Sequence, residues 1–263
     1  MKALSLAELR EQLSRDAHLP AAVLRQLQAD PRKGAQQLYA KAVKLRDADK
    51  NEASRIGIML QLERTLEAQG FHAVAGVDEA GRGPLAGPIV AAAVILSRAE
   101  PGLNDSKLLT AAQREHLYAR LQSGGHAIGV ALIAAEQIDR LGIQQANYQV
   151  MAAALAALPR VPDFALIDGF SVPGLVVPQQ RVVKGDRRSL SIAAASIIAK
   201  VTRDRIMCAL DEEYPAYGFR HHQGYGTPAH LAALAAHGPC AEHRHSFAPI
   251  ARQTETGLLF DRE

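Results

Sequence analysis

The sequence predicts an α/β protein in which a mixed β-sheet is flanked by helices and preceded by a helical N-terminal extension. Three observations predict it. Apolar β-type runs occupy His72–Val77, Ile89–Leu96 and His126–Ile133; helical periodicity then alternates with two shorter runs at Phe164–Ile167 and about Gln180–Val183. An Ala-rich stretch, Ser191–Leu210, has side chains small enough for a long helix to lie close against a sheet. At 263 residues the chain suits one sizeable core plus an appendage.

Taken in order, residues 1–70 read as helical throughout. Leu-rich periodic stretches such as Leu4–Leu13 and Gly57–Ala68 are separated by Pro20 and Pro31. The character changes at Gly70, so 1–70 is expected to be an extension, a candidate accessory nucleic-acid-binding region, and 71–263 the main domain with a C-terminal helical part. The turn-rich segment Ala80–Pro88 separates the first two strands. Thr110 is placed to cap a helix running through Leu121 to a C-terminal Gly124. Two amphipathic helices fill Ala134–Leu158 before Pro159, the fourth strand delivers Asp168, and the fifth ends just before Asp186. A shorter helix covers His230–Ala236.

Composition sets limits on function. With 48% apolar and 22% charged residues the chain is an ordinary globular protein and not a disordered one. Lys2, Glu8, Arg10 and Glu11 interrupt any leader-like stretch, and Pro84–Leu96 falls short of the roughly 20 apolar residues a membrane span needs. A cytoplasmic location, no membrane contact and no obligate protein partner are expected. The net charge of +3 resides in residues 1–70, which hold 12 basic and 9 acidic side chains; composition alone does not announce a nucleic-acid binder. Cys208 and Cys240 lack a CxxC or a histidine at ligand spacing and are expected to be buried free thiols. Six of the ten histidines lie between His221 and His245 in no metal-binding pattern, and most are expected at the surface or in local hydrogen bonds.

Chemistry concentrates at strand ends. In Gly76-Val77-Asp78-Glu79-Ala80-Gly81-Arg82-Gly83-Pro84 two adjacent carboxylates end an apolar strand just before a glycine-rich turn. An isolated Asp-Glu pair is most often a solvated strand terminus. The pattern recurs, however, in Ala165-Leu166-Ile167-Asp168-Gly169 and Val182-Val183-Lys184-Gly185-Asp186. Adjacent strand ends meet at a crevice, and four carboxylates converging there repel one another unless cations neutralise them. Two divalent metals would do so and would support phosphoryl transfer to water. For Asp186 especially, capping a following helix or turn is an alternative.

These residues carry a resemblance. Gly76–Pro88 (GVDEAGRGPLAGP), Asn104-Asp105-Ser106-Lys107, Leu166–Gly169 (LIDG), Val183–Asp186 (VKGD), Ala193–Asp204 (AAASIIAKVTRD) and Tyr217–Thr227 (YGFRHHQGYGT) occur in the order found in ribonuclease HII, which the chain closely resembles from about Phe71 to Ala251. The resemblance implies a ribonuclease H-like sheet and an endonuclease dependent on Mg or Mn. It would cut the RNA strand of RNA–DNA hybrids, and the 5′ side of ribonucleotides embedded in duplex DNA, leaving 5′-phosphates. It implies that Asp78, Glu79, Asp168 and Asp186 are catalytic metal ligands, that Gly81, Arg82 and Gly83 contact the ribose 2′-OH, and that Tyr225 reads the neighbouring sugar. The plainer readings are that Gly81 and Gly83 only form a turn and that Tyr225 only packs a loop. Ser106, Lys107 and Lys184 are candidate phosphate contacts, although surface lysines often contact nothing specific. Leu108 and Gln223 stand where the family commonly has lysines, so two phosphate contacts are missing or replaced. A ribonuclease HIII would carry a different glycine motif and a β-rich N-terminal domain; Arg82 and the helical N-terminus point away from it. A non-catalytic hybrid-binding module would have no reason to keep four like charges together.

Overall fold

The computed structural model of the protein describes residues 5–16, 18–248, 250 and 251. Leu4 of the first expected helix and residues 252–263 of the expected main domain therefore lie outside the described residues. The chain forms two compact units that divide between Ile58 and Met59.

The first unit holds α1 (Leu6–Asp16), α2 (Ala21–Ala29) and all but the last residue of α3 (Lys33–Met59). Leu9 and Leu13, Leu24 and Leu27, and Ala35, Leu38 and Ala42 bury one another around Leu19, giving this unit its own core. Pro20 stands at the N-cap of α2, where the missing N–H costs nothing.

The second unit begins with α4 (Gln61–Ala68), so that helix lies ahead of the boundary expected at residue 70 yet within the second unit. Five strands follow: β1 (Val74–Ala80), β2 (Ile89–Ile95), β3 (Ala127–Ile133), β4 (Phe164–Asp168) and β5 (Gln179–Val182), in the order β3-β2-β1-β4-β5. The first three pair antiparallel, while β1, β4 and β5 run parallel. Helices α5 (Ala111–Ser123), α6 (Ala135–Leu141), α7 (Ile143–Ala156), α8 (Leu190–Glu213), α9 (Phe219–His222) and α10 (Pro228–His237) complete the unit. The expected mixed sheet with flanking helices and a helical N-terminal region is what forms.

Strand alternation sorts the sheet's side chains onto two faces. Ala75, Val77, Ala91, Ala93, Ala165 and Ile167 bury against Ile138 of α6 and Val150, Met151 and Ala154 of α7. The opposite face takes α8. At Gly76 a Cβ would lie 2.1 Å from the Ser191 carbonyl carbon, so β1 and the start of α8 meet backbone to backbone, as only glycine allows. Ser189 caps α8 by accepting from the Ile192 N–H at 3.2 Å. Glu63 of α4 accepts from the Ser191 N–H at 3.0 Å and from the Ser189 and Ser191 hydroxyls at 2.6 and 2.7 Å, which ties α4 to the same helix start. Thr110 caps α5 as expected, and Gln113 bonds back to it to complete a reciprocal capping box.

One expectation fails here. Cys208 is exposed and Cys240 half-buried, so neither is a core thiol; on this part of α8 Arg203 and Met207 face inward and Cys208 lies on the exposed side. Of the six histidines between His221 and His245, His221, His237 and His245 are exposed, while His222 and the fully buried His230 and His243 make local hydrogen bonds, as expected. Among the described residues no helix is long and apolar enough to cross a membrane.

Candidate active site

Strands β1 and β4 lie side by side and parallel, with Val77 opposite Ile167, so the next residues on each, Asp78 and Asp168, emerge together on the α8 face. Asp78 is 6% exposed and accepts from the Glu79 N–H at 2.7 Å, and the nearby Ser196 hydroxyl on α8 favours its charged form. Asp168 accepts from the Gly185 N–H at 2.6 Å, which draws the turn after β5 inward and brings Asp186 with it. The helix beyond that turn is capped by Ser189, not by Asp186. All four carboxylates line one cleft of about 320 Å³, together with Gly81, Arg82, Gly83, Ser106, Lys107 and Tyr225. Lys184 is exposed, takes the left-handed conformation (φ 54°) ahead of the turn, and does not line the cleft.

Burial and mutual repulsion raise all four carboxyl groups. Asp78 is raised well above the usual range by burial, then by the charges of Glu79 and Asp168. Burial and Asp168 push Glu79 up to about 7 against the pull of Arg82 and Lys107. Asp168 is raised by burial, opposed by the Gly185 N–H and Lys107. Asp186 is pushed up to about 6 by burial and by the charges of Asp105 and Asp168. A cation would relieve this repulsion, and Glu79 Oε2 is buried without a hydrogen-bond partner, as a waiting ligand oxygen would be. The all-oxygen donor set suits a hard divalent ion. Among the described residues no three histidine, cysteine, aspartate or glutamate side chains already stand close enough together to hold a metal ion.

Several site residues escaped the sequence reading. Ser196, Lys200 and Arg203 of α8 also line the cleft; all three lie within a recognised motif, yet only the helix's orientation shows which of its residues face inward. Asp105 is buried, acts on Asp186 through its charge, and accepts from Arg187 at 2.7 and 3.0 Å. Ser106 is buried with its hydroxyl 2.9 Å from that of Ser196. Two buried arginines brace the glycine-rich turn. Arg203 donates to the carbonyls of Ala86, Pro88 and Gln223, and Arg244 to those of Gly81, Arg82 and Gly87. No local signal marks Arg244, because its partners lie about 160 residues earlier in the chain. Gly81 (φ +93°) has no room for a side chain: a Cβ would meet Arg203 Nε at 2.0 Å.

Comparison with known proteins decides the family. The model of the ribonuclease HII family matches residues 75–250, and that of the ribonuclease HII N-terminal domain matches residues 5–67. The chain belongs to the ribonuclease HII family. It is 53% identical over 226 residues to the ribonuclease HII of Geobacillus thermodenitrificans, covering 85% of this chain and 87% of that one. Among solved structures, ribonuclease H2 of Pyrococcus horikoshii is 27% identical with a TM-score of 0.61, over 73% of this chain and 100% of its own. The ribonuclease HII of Archaeoglobus fulgidus, solved in complex with PCNA, is 26% identical with a TM-score of 0.58, over 67% and 96% respectively. The protein is accordingly an endonucleolytic ribonuclease H acting on RNA in RNA–DNA hybrids, and its family depends on a divalent metal.

Proposed function

We propose that Asp78, Glu79, Asp168 and Asp186 hold two divalent cations, Mg or Mn, and that the cleft hydrolyses hybrid RNA and also cuts 5′ of single ribonucleotides embedded in duplex DNA. The observation that carries this reading is the convergence of four mutually repelling carboxylates with the Gly81–Gly83 turn and Tyr225 in one cleft. Bound cations would supply charge neutralisation for the attacking and leaving oxygens of an in-line displacement.

The chain's own residues select and place the substrate. Arg244 occupies the carbonyls of Gly81 and Arg82. In a trans peptide the N–H points opposite to its carbonyl, so the N–H groups of Arg82 and Gly83 face away from Arg244 and are available to a ribose 2′-OH. The Arg82 side chain is held by Gln144 at 2.6 Å and lies 4.3 Å over the Phe170 ring, which fixes the turn from its other side. A Cβ at Gly83 would stand 3.9 Å from the Tyr225 ring; the absence of one leaves that ring, 45% exposed, open to stack on the next sugar. Lys107 lines the cleft and is placed for a phosphate contact. Ser106 spends its hydroxyl on Ser196, and Lys184 could reach only phosphates outside the cleft. Residues 1–70 serve as an accessory binding region and 71–263 as the catalytic domain.

The test is cleavage, with Mg or Mn, of a duplex containing one ribonucleotide beside an all-DNA control and an RNA–DNA hybrid. Cutting 5′ of the ribonucleotide is expected; cutting of the hybrid alone would remove the embedded-ribonucleotide activity. Tyr225→Ala is expected to lower the single-ribonucleotide rate roughly tenfold to a hundredfold, the scale of a lost stacking contact, and to lower cleavage within RNA runs less. Equal losses on both substrates would reduce Tyr225 to generic binding surface.

A further inference from the structure

Behind the Tyr225 loop lie imidazoles that take no part in the chemistry above. His230 and His243 are fully buried, with their Nε2 atoms 3.0 Å apart. The Cys240 N–H points at His243 Nδ1 from 2.9 Å, so that nitrogen carries a lone pair and the ring proton sits on Nε2. That proton is donated to His230 Nε2, which leaves the His230 proton on Nδ1, 3.0 Å from the Tyr225 carbonyl oxygen. One arrangement of protons alone satisfies all three contacts with neutral rings. Cys240 Sγ, 3.1 Å from the same His243 Nδ1, agrees with it, since a thiol can donate there.

The neighbouring contacts fasten the same loop. The Tyr225 N–H donates to the His222 carbonyl at 2.9 Å, and His222 Nδ1 accepts from the Gly224 N–H at 3.3 Å while its Nε2 donates to the Tyr217 carbonyl at 2.9 Å. His222 stacks on His230 with centroids 4.5 Å apart, and Phe219 meets His230 edge-on. Tyr225 thus has an exposed ring on a backbone held at both its amide and its carbonyl.

We infer that His243 and His230 are positioning residues for Tyr225: a one-way chain of hydrogen bonds, from the Cys240 N–H through both imidazoles to the Tyr225 carbonyl, sets the backbone from which the ring reads the sugar beside the cut. The chain itself stands on geometry; its consequence for substrate choice rests on the sugar-reading role proposed for Tyr225. Protonating either ring would set N–H against N–H. The groups facing the pair are the His222 and His245 rings, the Tyr217 ring, the Phe219 ring and the Cys240 thiol, with the Tyr225 carbonyl at the far end. Among the described residues no carboxylate acts directly on either imidazole; the charges of Glu242 and Glu213 reach only the Cys240 thiol. Burial pushes His243 down to about 4 and also lowers His230, which keeps the chain intact at neutral pH.

Two measurements test the inference. Imidazole 15N–1H NMR of the whole protein at about pH 6 is expected to show His243 as the neutral Nε2–H tautomer and His230 as the neutral Nδ1–H tautomer; a charged ring or the opposite tautomer at either position overturns the chain. His230→Phe keeps an aromatic ring between Phe219 and His222 and removes both nitrogens. It is expected to lower the ratio of single-ribonucleotide to RNA-run kcat/KM about fivefold, the scale of one net hydrogen bond, and to cause no further drop in a Tyr225→Ala background. An equal loss on both substrates, or a full additional loss in that background, overturns the positioning role. If Tyr225→Ala itself leaves the ratio unchanged, the sugar-reading role has failed, and the hydrogen-bond chain is then decided by the tautomers.

Discussion

At the scale of single residues, the four carboxylates make opposite demands on stability and function. A carboxyl whose pKa is raised on folding favours the folded state below its ordinary value, and that contribution is lost as pH rises through the folded value. The window opens near the unfolded value of about 4 and closes at about 6 for Asp186 and about 7 for Glu79. In metal-free protein Glu79→Gln should therefore gain thermal stability over wild type as pH rises through this window, and the gain should shrink when Mg or Mn is added. Thermal melts of both proteins with and without metal check this. A gain independent of pH and metal would mean that Glu79 is not held against its neighbours' charge. The four acids were legible in the sequence because a charge ending an apolar strand is conspicuous, and three strand ends shared it. Asp105, Ser196 and Arg244 were not, because nothing in a residue's own neighbourhood says which distant carbonyl or carboxyl it will meet.

At the scale of elements, the close approach of β1 and α8 positions the cleft. It places Asp78 of the strand beside Ser196 of the helix and leaves no space at Gly76. Gly76→Ala is expected to destabilise the fold by about 3 kcal/mol, because the contact is with helix backbone that cannot swing aside. Chemical denaturation measures it, and a loss below about 1 kcal/mol would mean that the helix start shifts freely. Elements with strong local grammar were readable: the Thr110 cap of α5, the glycine ending that helix, and the apolar runs of β1 and β2. α9 was not. It is a single turn between left-handed residues Gly218 and Gln223, too short to show a period. The 27-residue α3 was read only as general helicity, since Pro31 marks its start but no proline or glycine directly follows Met59 to mark its end.

At the scale of the whole molecule, charge and chemistry are divided along the chain. The excess of basic residues lies in 1–70, whereas the carboxylates, the glycine-rich turn and Tyr225 all belong to the second unit. Lys41, Lys44 and Lys50 are exposed on α3. Replacing all three with Gln should reduce the salt dependence of hybrid binding, by about 0.9 in the log–log slope for each lysine that neutralises a phosphate, and leave the single-turnover rate at saturation unchanged. An unchanged slope in a titration of affinity against salt would assign the extension another role. The central claim concerns the carboxylate cleft, and Asp168→Asn tests it most directly, because an amide fills the same space without the charge that would hold a cation. Single-turnover cleavage of an RNA–DNA hybrid in Mg or Mn, with hybrid affinity measured in parallel, should show a rate lowered a thousandfold or more, about 4 kcal/mol of barrier, at nearly unchanged affinity. A variant that cleaves within tenfold of wild type would contradict the assignment of Asp168 and, with it, the shared metal site.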